Sequence, residues 1–181
     1  MWFILLVLTL SMSTTSSLKV LKNTYFGLRH GQSYSNVEGI ISSDVLKGTT
    51  SHGLTDLGRK QAESSGQELY QIFKAKSPTC LNNIHFYSSL FLRAKQTTDV
   101  VINSLITSYN NDNNKSSLYT LPRPTYKVRV SLSERYFGDL DQRPLPLYND
   151  VWPLDWENAD NKNEGIESVN EVASRIDSFI Q

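Results

Sequence analysis

Cysteine is nearly missing from this chain. Cys80 is the single one in 181 residues, which excludes an internal disulfide and leaves no second thiolate for a metal site. Histidine is almost as scarce, and His30, His52 and His85 lack the short spacings of zinc motifs, so neither a structural metal nor a cofactor is expected. An excess of either charge is missing too, with 18 Lys and Arg against 18 Asp and Glu. No overall field draws the chain to nucleic acid or to an acidic membrane surface, so any affinity for phosphate has to be local. Long apolar runs are also missing: the run at residues 2–10 is too short to span a bilayer.

That run is followed by small polar residues, Ser11-Met12-Ser13-Thr14-Thr15-Ser16-Ser17. Residues 1–17 read either as a targeting segment, directing the chain to secretion or to an organelle, or as a strand or helix packed on the domain. No basic residue precedes the run, and without targeting the expected location is the cytoplasm. Asn114-Lys115-Ser116 is a glycosylation sequon compatible with secretion. Residues 18–181 have the length of one domain with a sizeable core.

The most informative stretch is Leu28-Arg29-His30-Gly31-Gln32-Ser33, which follows a short apolar strand expected at residues 25–28. A histidine at a strand end, with an arginine before it and a glycine after it, is a candidate nucleophile toward phosphorus. Neutral imidazole attacks through one ring nitrogen, and the guanidinium offers charge-assisted hydrogen bonds to phosphate oxygens. Residues 32–53 read as a loop, long for a connection and therefore expected to cover a site. Thr55 is placed to cap a helix in which Ala62, Gly66, Leu69 and Phe73 form one apolar face, closed by Pro78.

A second strand is expected at 83–87, with Ser88 or Ser89 capping a helix whose face carries Leu90, Ala94, Thr97, Val101 and Leu105. Arg93 then falls in the first turn of a helix just past a strand end, where free amides and the helix dipole favour an anion; an arginine in such a turn is otherwise a solvated surface residue. Residues 110–114 read as a polar loop and 126–130 as a third strand. Glu134 lies just past that strand, either as a rim acid able to protonate a leaving alcohol or as a surface glutamate paired with Arg135. Residues 144–163, with Trp152, Trp156 and three prolines, read as an irregular aromatic flap. A last helix opens at 165–168 and turns Val169, Val172, Ile176 and Ile180 to one side. Strands alternating with helices argue for an α/β fold with a mainly parallel sheet, in which His30, Arg93 and Glu134 all fall at carboxyl strand ends.

In chain order, the blocks Leu28-Arg29-His30-Gly31-Gln32-Ser33 with Asn36, Leu54-Thr55-Asp56-Leu57-Gly58-Arg59-Lys60-Gln61-Ala62, Ser89-Leu90-Phe91-Leu92-Arg93-Ala94-Lys95-Gln96-Thr97, Leu132-Ser133-Glu134-Arg135-Tyr136-Phe137-Gly138, and Glu167-Ser168 with Arg175 resemble the histidine phosphatase, or phosphoglycerate mutase-like, superfamily. The resemblance implies a three-layer sandwich around a mainly parallel sheet and a metal-free reaction in which His30 is transiently phosphorylated. It further implies that Arg29, Asn36 and Arg93 hold the phosphoryl group and that Glu134 gives a proton to the leaving group. The expected partner is a small phosphorylated substrate or a phosphoprotein, with no nucleic acid and no membrane span.

The family's second histidine, carried at the end of a later strand, is expected beyond the final helix, and neither His52 nor His85 matches it. The expectation is therefore a domain incomplete at its C-terminus, with the strand of His30 left as an edge and little activity in residues 1–181 alone. Asp139, Asp141, Asp150, Asp155 and Glu157 make the segment after Gly138 acidic, which disfavours a small trianionic substrate and so favours a phosphatase over a phosphoglycerate mutase. A catalytically dead phosphate-binding protein is the remaining alternative.

Overall fold

The computed structural model describes residues 23–76, 84–112 and 123–180. The segment 1–17, Pro78, Cys80 and the sequon at 114–116 lie outside the described residues.

Two long helices make the main body. Helix α3 spans Asp56–Lys76, and α4 spans Leu92–Asp112. The start of α3 follows from Thr55, whose Oγ1 accepts from the Gly58 amide at 3.1 Å, satisfying one of the free donors of the first turn. Its expected face is buried, with Ala62, Leu69, Tyr70 and Phe73 packed on Val101 and Leu105 of α4. The two helices are in close contact at Gly66, where an added Cβ would stand 2.6 Å from the Val101 carbonyl oxygen and 2.7 Å from Ser104 Cβ. Ser104 seals that contact by donating to the Glu63 carbonyl at 2.7 Å.

The sheet is smaller than the pattern predicts. Among the described residues its ladder is β1, Phe86–Ser88, paired in parallel with β2, Tyr126–Val128, in the register Phe86 to Tyr126. The expected third strand ends two residues early because the chain turns into a 3₁₀ turn at Val130–Leu132. Residues 25–28 do not form a ladder strand; Gly27 alone makes a bridge. Phe26 is held instead by its side chain, edge-on to Phe73 of α3 with ring centroids 5.3 Å apart. Apolar residues fix which side chains are buried, but not whether a neighbouring backbone pairs with them.

Three layers are nevertheless present. Phe86 packs on the α3 and α4 core, whereas Tyr87, pointing to the other face of the strand, meets Phe179 edge-on at 5.1 Å. Phe179 belongs to α6, Val169–Ile180, so the sheet lies between the α3 and α4 pair and α6. Ser168 caps α6 by a reciprocal pair, its Oγ accepting from the Glu171 amide while the Glu171 carboxylate accepts from its own amide.

Several local expectations change. The long loop at 32–53 contains two short helices, α1 at Tyr34–Glu38 and α2 at Val45–Gly48, each with a capping side chain at its start, Ser33 and Asp44. Residues 110–112 close the last turn of α4 rather than beginning a loop. The segment taken for an irregular flap is a 3₁₀ turn at Leu145–Leu147 running into helix α5, Tyr148–Glu157, with Pro153 inside it. Proline at that point removes one backbone bond, and the helix persists because Val151 is buried with Ile41, Phe137 and Ile166 in a second core cluster. No helix among the described residues is long and apolar enough to cross a membrane.

Candidate active site

The loop carrying His30 is wedged between the two long helices. Gly31 and Gly58 lie back to back: a Cβ on Gly31 would stand 2.2 Å from the Gly58 carbonyl oxygen, and one on Gly58 would stand 2.0 Å from that of Gln32. No side chain fits at either position. The Gly31 amide donates to Thr97 Oγ1 of α4 at 3.2 Å, and the Gln32 amide donates to Gln61 Oε1 of α3 at 2.8 Å. His30 is thereby held over the start of α4.

Arg93, the second residue of α4, shares the buried helical row of Thr97, Val101 and Leu105. The row keeps the expected Thr97, Val101 and Leu105, but it begins with Arg93 in place of Leu90 and Ala94, which are only half-buried. Only 4 % of Arg93 is exposed. Its Nε donates to His30 Nε2 at 3.1 Å, Nη1 to Ser42 Oγ at 3.2 Å and Nη2 to the Ser42 carbonyl at 2.9 Å. The guanidinium lies over the Phe91 ring, 4.4 Å from its centroid. These contacts use three of its five N–H groups and leave two for a ligand.

The imidazole is fixed in one tautomer. His30 Nδ1 lies 2.7 Å from the Gly31 carbonyl oxygen, an acceptor only, so Nδ1 carries the proton and Nε2 the lone pair that Arg93 meets. Burial, with the positive charges of Arg93 and Arg29 adding to it, lowers the His30 pKa to about 4 and keeps the ring neutral at physiological pH.

The other expected residues converge on the same place. His30, Arg93, Arg29, Asn36 and Glu134 all line one cleft of about 480 Å³. Asn36 sits in the first turn of α1, where its Oδ1 accepts from the Ser33 amide and hydroxyl at 3.0 Å each, so its side-chain amide N–H groups remain for a ligand. Glu134, 41 % exposed in its side chain, places Oε2 3.7 Å from Arg93 Nη2. The alternative in which Glu134 pairs with Arg135 does not hold at the side-chain level. The Arg135 guanidinium is committed to both oxygens of Asp155, at 2.5 and 2.8 Å, and to the Glu167 carbonyl at 2.6 Å. Only its backbone amide reaches Glu134, at 3.1 Å.

The last sequence block supports that segment from behind. Arg175 of α6 grips Glu167 at 2.7 and 3.0 Å and donates to the Ser131 carbonyl at 2.5 Å. The backbones of Glu167 and Tyr136 are joined at 2.8 Å.

Ser42, Tyr148 and Trp152 also line the cleft; the sequence carries no signal for Ser42 and Tyr148, and marks Trp152 only as part of an aromatic flap. Ser42 bridges Arg93 and His52, whose Nδ1 is 3.2 Å from the Ser42 hydroxyl oxygen. Burial, reinforced by the Glu134 carboxylate, pushes the Tyr148 phenol up to about 12, which keeps it an O–H donor. The expectation of an acidic wall is corrected: none of Asp139, Asp141, Asp150, Asp155 and Glu157 lines the cleft. Asp155 is turned to Arg135, and Asp141 accepts from the Ser43 and Asp44 amides and from Lys47. His52 and His85 do not line it either. Among the described residues no group of His, Cys, Asp and Glu is arranged to hold a metal ion.

This arrangement can be compared with known proteins. Residues 26–114 match the model of the histidine phosphatase superfamily (branch 1). Among solved structures, the chain is similar to one described as mycobacterial hydrolase 1, with 22% identity and a TM-score of 0.56 over 83% of this chain and 60% of that one. It is similar to a mycobacterial glucosyl-3-phosphoglycerate phosphatase complexed with VO3, at 22% identity and TM-score 0.57 over 83% and 59%. A protein from Thermus thermophilus matches at 20% identity and TM-score 0.51, over 84% and 68%. No curated protein matches the chain. The chain thus spans about 60% of the length of the first two structures. The match over residues 26–114 identifies that stretch as histidine phosphatase superfamily (branch 1), and the likeness to solved structures shows that the same fold extends over 83% of the chain.

Proposed function

We propose that this protein is a phosphatase that cleaves phosphate monoesters through a phosphohistidine on His30. The observation that carries the proposal is the pair of contacts on one ring: Nδ1 held by the Gly31 carbonyl and Nε2 facing Arg93. A buried neutral imidazole with its lone pair beside a guanidinium is prepared to attack an anionic phosphorus centre.

In the first step Arg93 Nε–H turns from His30 Nε2 to a phosphoryl oxygen, and the freed Nε2 lone pair forms a bond to phosphorus as the ester P–O bond breaks. The departing oxygen takes a proton from the Glu134 carboxyl, giving the free alcohol. Arg93, Arg29 and the Asn36 amide donate to the three phosphoryl oxygens, whose charge they offset without a metal. In the second step water attacks phosphorus and the Glu134 carboxylate accepts its proton, so the P–N bond breaks and His30 returns with inorganic phosphate released.

Hydrolysis is favoured over transfer between phosphoglycerates because Arg29 and Arg93 are the cations lining the cleft, and both serve the phosphoryl group. Among the described residues a substrate carboxylate would find no third positive partner there. The phosphoryl oxygens also meet no second imidazole among the described residues, since His52 and His85 stand outside the cleft. Lack of one such donor costs about 10²–10³ in rate, so slow turnover by residues 1–181 is part of the proposal.

The test is hydrolysis of 4-nitrophenyl phosphate by the 181-residue chain, with vanadate as inhibitor. Slow, vanadate-sensitive release that disappears in His30→Ala is expected; release that is equal in His30→Ala overturns the assignment. Tight binding of phosphate with no turnover would instead identify a phosphate-binding protein.

A further inference from the structure

The cleft is much larger than a phosphoryl group needs, and its lining falls into two chemical sets. His30, Arg29, Arg93, Asn36 and Glu134 are polar or charged. Ile40, Leu145, Pro146, Tyr148 and Trp152 present apolar and aromatic surface. Tyr148 and Trp152 lie one turn apart on α5 and are stacked, with centroids 5.6 Å apart and ring planes within 7° of parallel. Tyr148 is itself braced edge-on by the buried ring of Phe137 at 4.7 Å. The indole is therefore positioned by its neighbours, although 56% of Trp152 is exposed. A large flat apolar surface left open on the wall of a polar cleft gains most when another flat apolar group covers it.

We infer that the leaving-group end of the cleft takes a flat, uncharged apolar ring, which makes the substrate class a phosphate monoester of a ring-bearing alcohol. The inference rests on the phosphatase reading and adds the identity of the group released. Charge supports it, because among the described residues Arg29, Arg93 and Glu134 are the charged ones lining the cleft, and the phosphoryl transfer proposed above engages all three. An anionic leaving group would meet apolar side chains, Asn149 and the Tyr148 hydroxyl, and among the described residues no further cation would offset the loss of its water. A polyhydroxylated ring would need several hydrogen-bond partners where Ile40, Leu145 and Pro146 stand. An apolar ring is matched both to the aromatic pair and to this lining.

Binding of non-hydrolysable phosphonates to the full 181-residue chain, followed by calorimetry, separates this inference from the reading beneath it. Methylphosphonate probes the phosphoryl end alone, benzylphosphonate adds an uncharged ring, and phosphonoacetate adds a carboxylate. Benzylphosphonate is expected to bind about tenfold more tightly than methylphosphonate, and phosphonoacetate no more tightly than methylphosphonate. In Trp152→Ala the benzyl advantage should fall to about twofold or less while methylphosphonate affinity stays as it was. Trp152→Phe should restore the advantage. Trp156→Ala, which removes a side chain 94% exposed and outside the cleft, should leave it unchanged. Equal affinity for the methyl and benzyl ligands, or preference for phosphonoacetate, overturns the ring assignment and leaves the phosphatase reading intact. Failure of methylphosphonate to bind overturns both.

Discussion

At the scale of single residues, the account turns on which proton each group carries. His30 has a pKa near 4 in the folded chain and an ordinary value near 6.5 once unfolded, so the unfolded state binds more protons between these limits. Stability contributed by His30 is therefore fully present above about pH 6.5 and falls by about 3 kcal/mol as the pH drops to 4. Urea unfolding of the wild type and His30→Gln across this range should show a steeper pH dependence in the wild type, the two proteins sharing every other titrating group. Parallel curves would mean that the ring is not held neutral by its surroundings. Glu134 makes a different prediction. Replacing it by Gln removes the proton donor but keeps the shape, so phosphoryl transfer from an alkyl ester should fall by about 10²–10⁴. Transfer from 4-nitrophenyl phosphate, whose leaving group needs no proton, should fall far less. Rates lowered equally for both esters would contradict general-acid catalysis by Glu134.

At this scale much was legible. His30, Arg93 and Glu134 each follow a strand expected from its apolar pattern, and all three line the cleft. Ser42 and Tyr148 were not legible because nothing local marks them, and Trp152 was marked only as part of an irregular flap. Ser42 contributes through contacts to Arg93, 51 positions away in sequence, and the two aromatics through a helix that Pro153 disguised as irregular chain.

At the scale of elements, the site depends on how its loops are fastened to the helices. Gly58→Ala would drive a methyl group to about 2.0 Å from the Gln32 carbonyl oxygen, so the loop carrying His30 must lift away from α3. The expected cost is about 1–3 kcal/mol of stability together with loss of phosphoenzyme formation, read by urea unfolding and by labelling of the same preparation. Unchanged labelling would show that the loop keeps its place without this contact. Asp141 fastens the other side. Its carboxylate accepts from the Ser43 amide at 2.7 Å, the Asp44 amide at 3.0 Å and Lys47 at 3.0 Å. Burial raises its pKa, but these donors outweigh burial and bring it down to about 2. Asp141→Ala should destabilise the chain by about 2–3 kcal/mol, measured by thermal unfolding at neutral pH; a loss under about 0.5 kcal/mol, the size of an ordinary surface substitution, would mean the clamp is dispensable.

Helices were more legible than strands for a physical reason. The apolar rows of α3 and α6 are properties of their own sequence, whereas a ladder needs a second backbone whose position the local pattern does not encode. The expected strand at 25–28 accordingly appears as extended chain with a single bridge at Gly27, while Ala62, Leu69 and Phe73 are buried as their spacing requires.

At the scale of the whole molecule, parts far apart in sequence assemble one cleft: the loop after residue 28, the start of α4, the turn after β2, and α5. Its charge is local, as the balance of 18 basic and 18 acidic residues requires, with the guanidinium groups of Arg29 and Arg93 in its lining. The acidic segment after Gly138 illustrates the limit of composition as a guide. Its carboxylates were expected to shape substrate choice, yet Asp141 and Asp155 are turned inward to hold Ser43, Asp44 and Arg135, and the cleft wall is aromatic. The central claim is that the phosphoryl group passes through His30 Nε2. The most direct measurement is ³¹P NMR and neutral-pH peptide mapping of the chain after exposure to phosphoramidate or 4-nitrophenyl phosphate. The account predicts one base-stable, acid-labile phosphoramidate at Nε2 of His30, absent from His30→Ala. A phosphoryl group on any other residue, or hydrolysis that continues in His30→Ala, would contradict it.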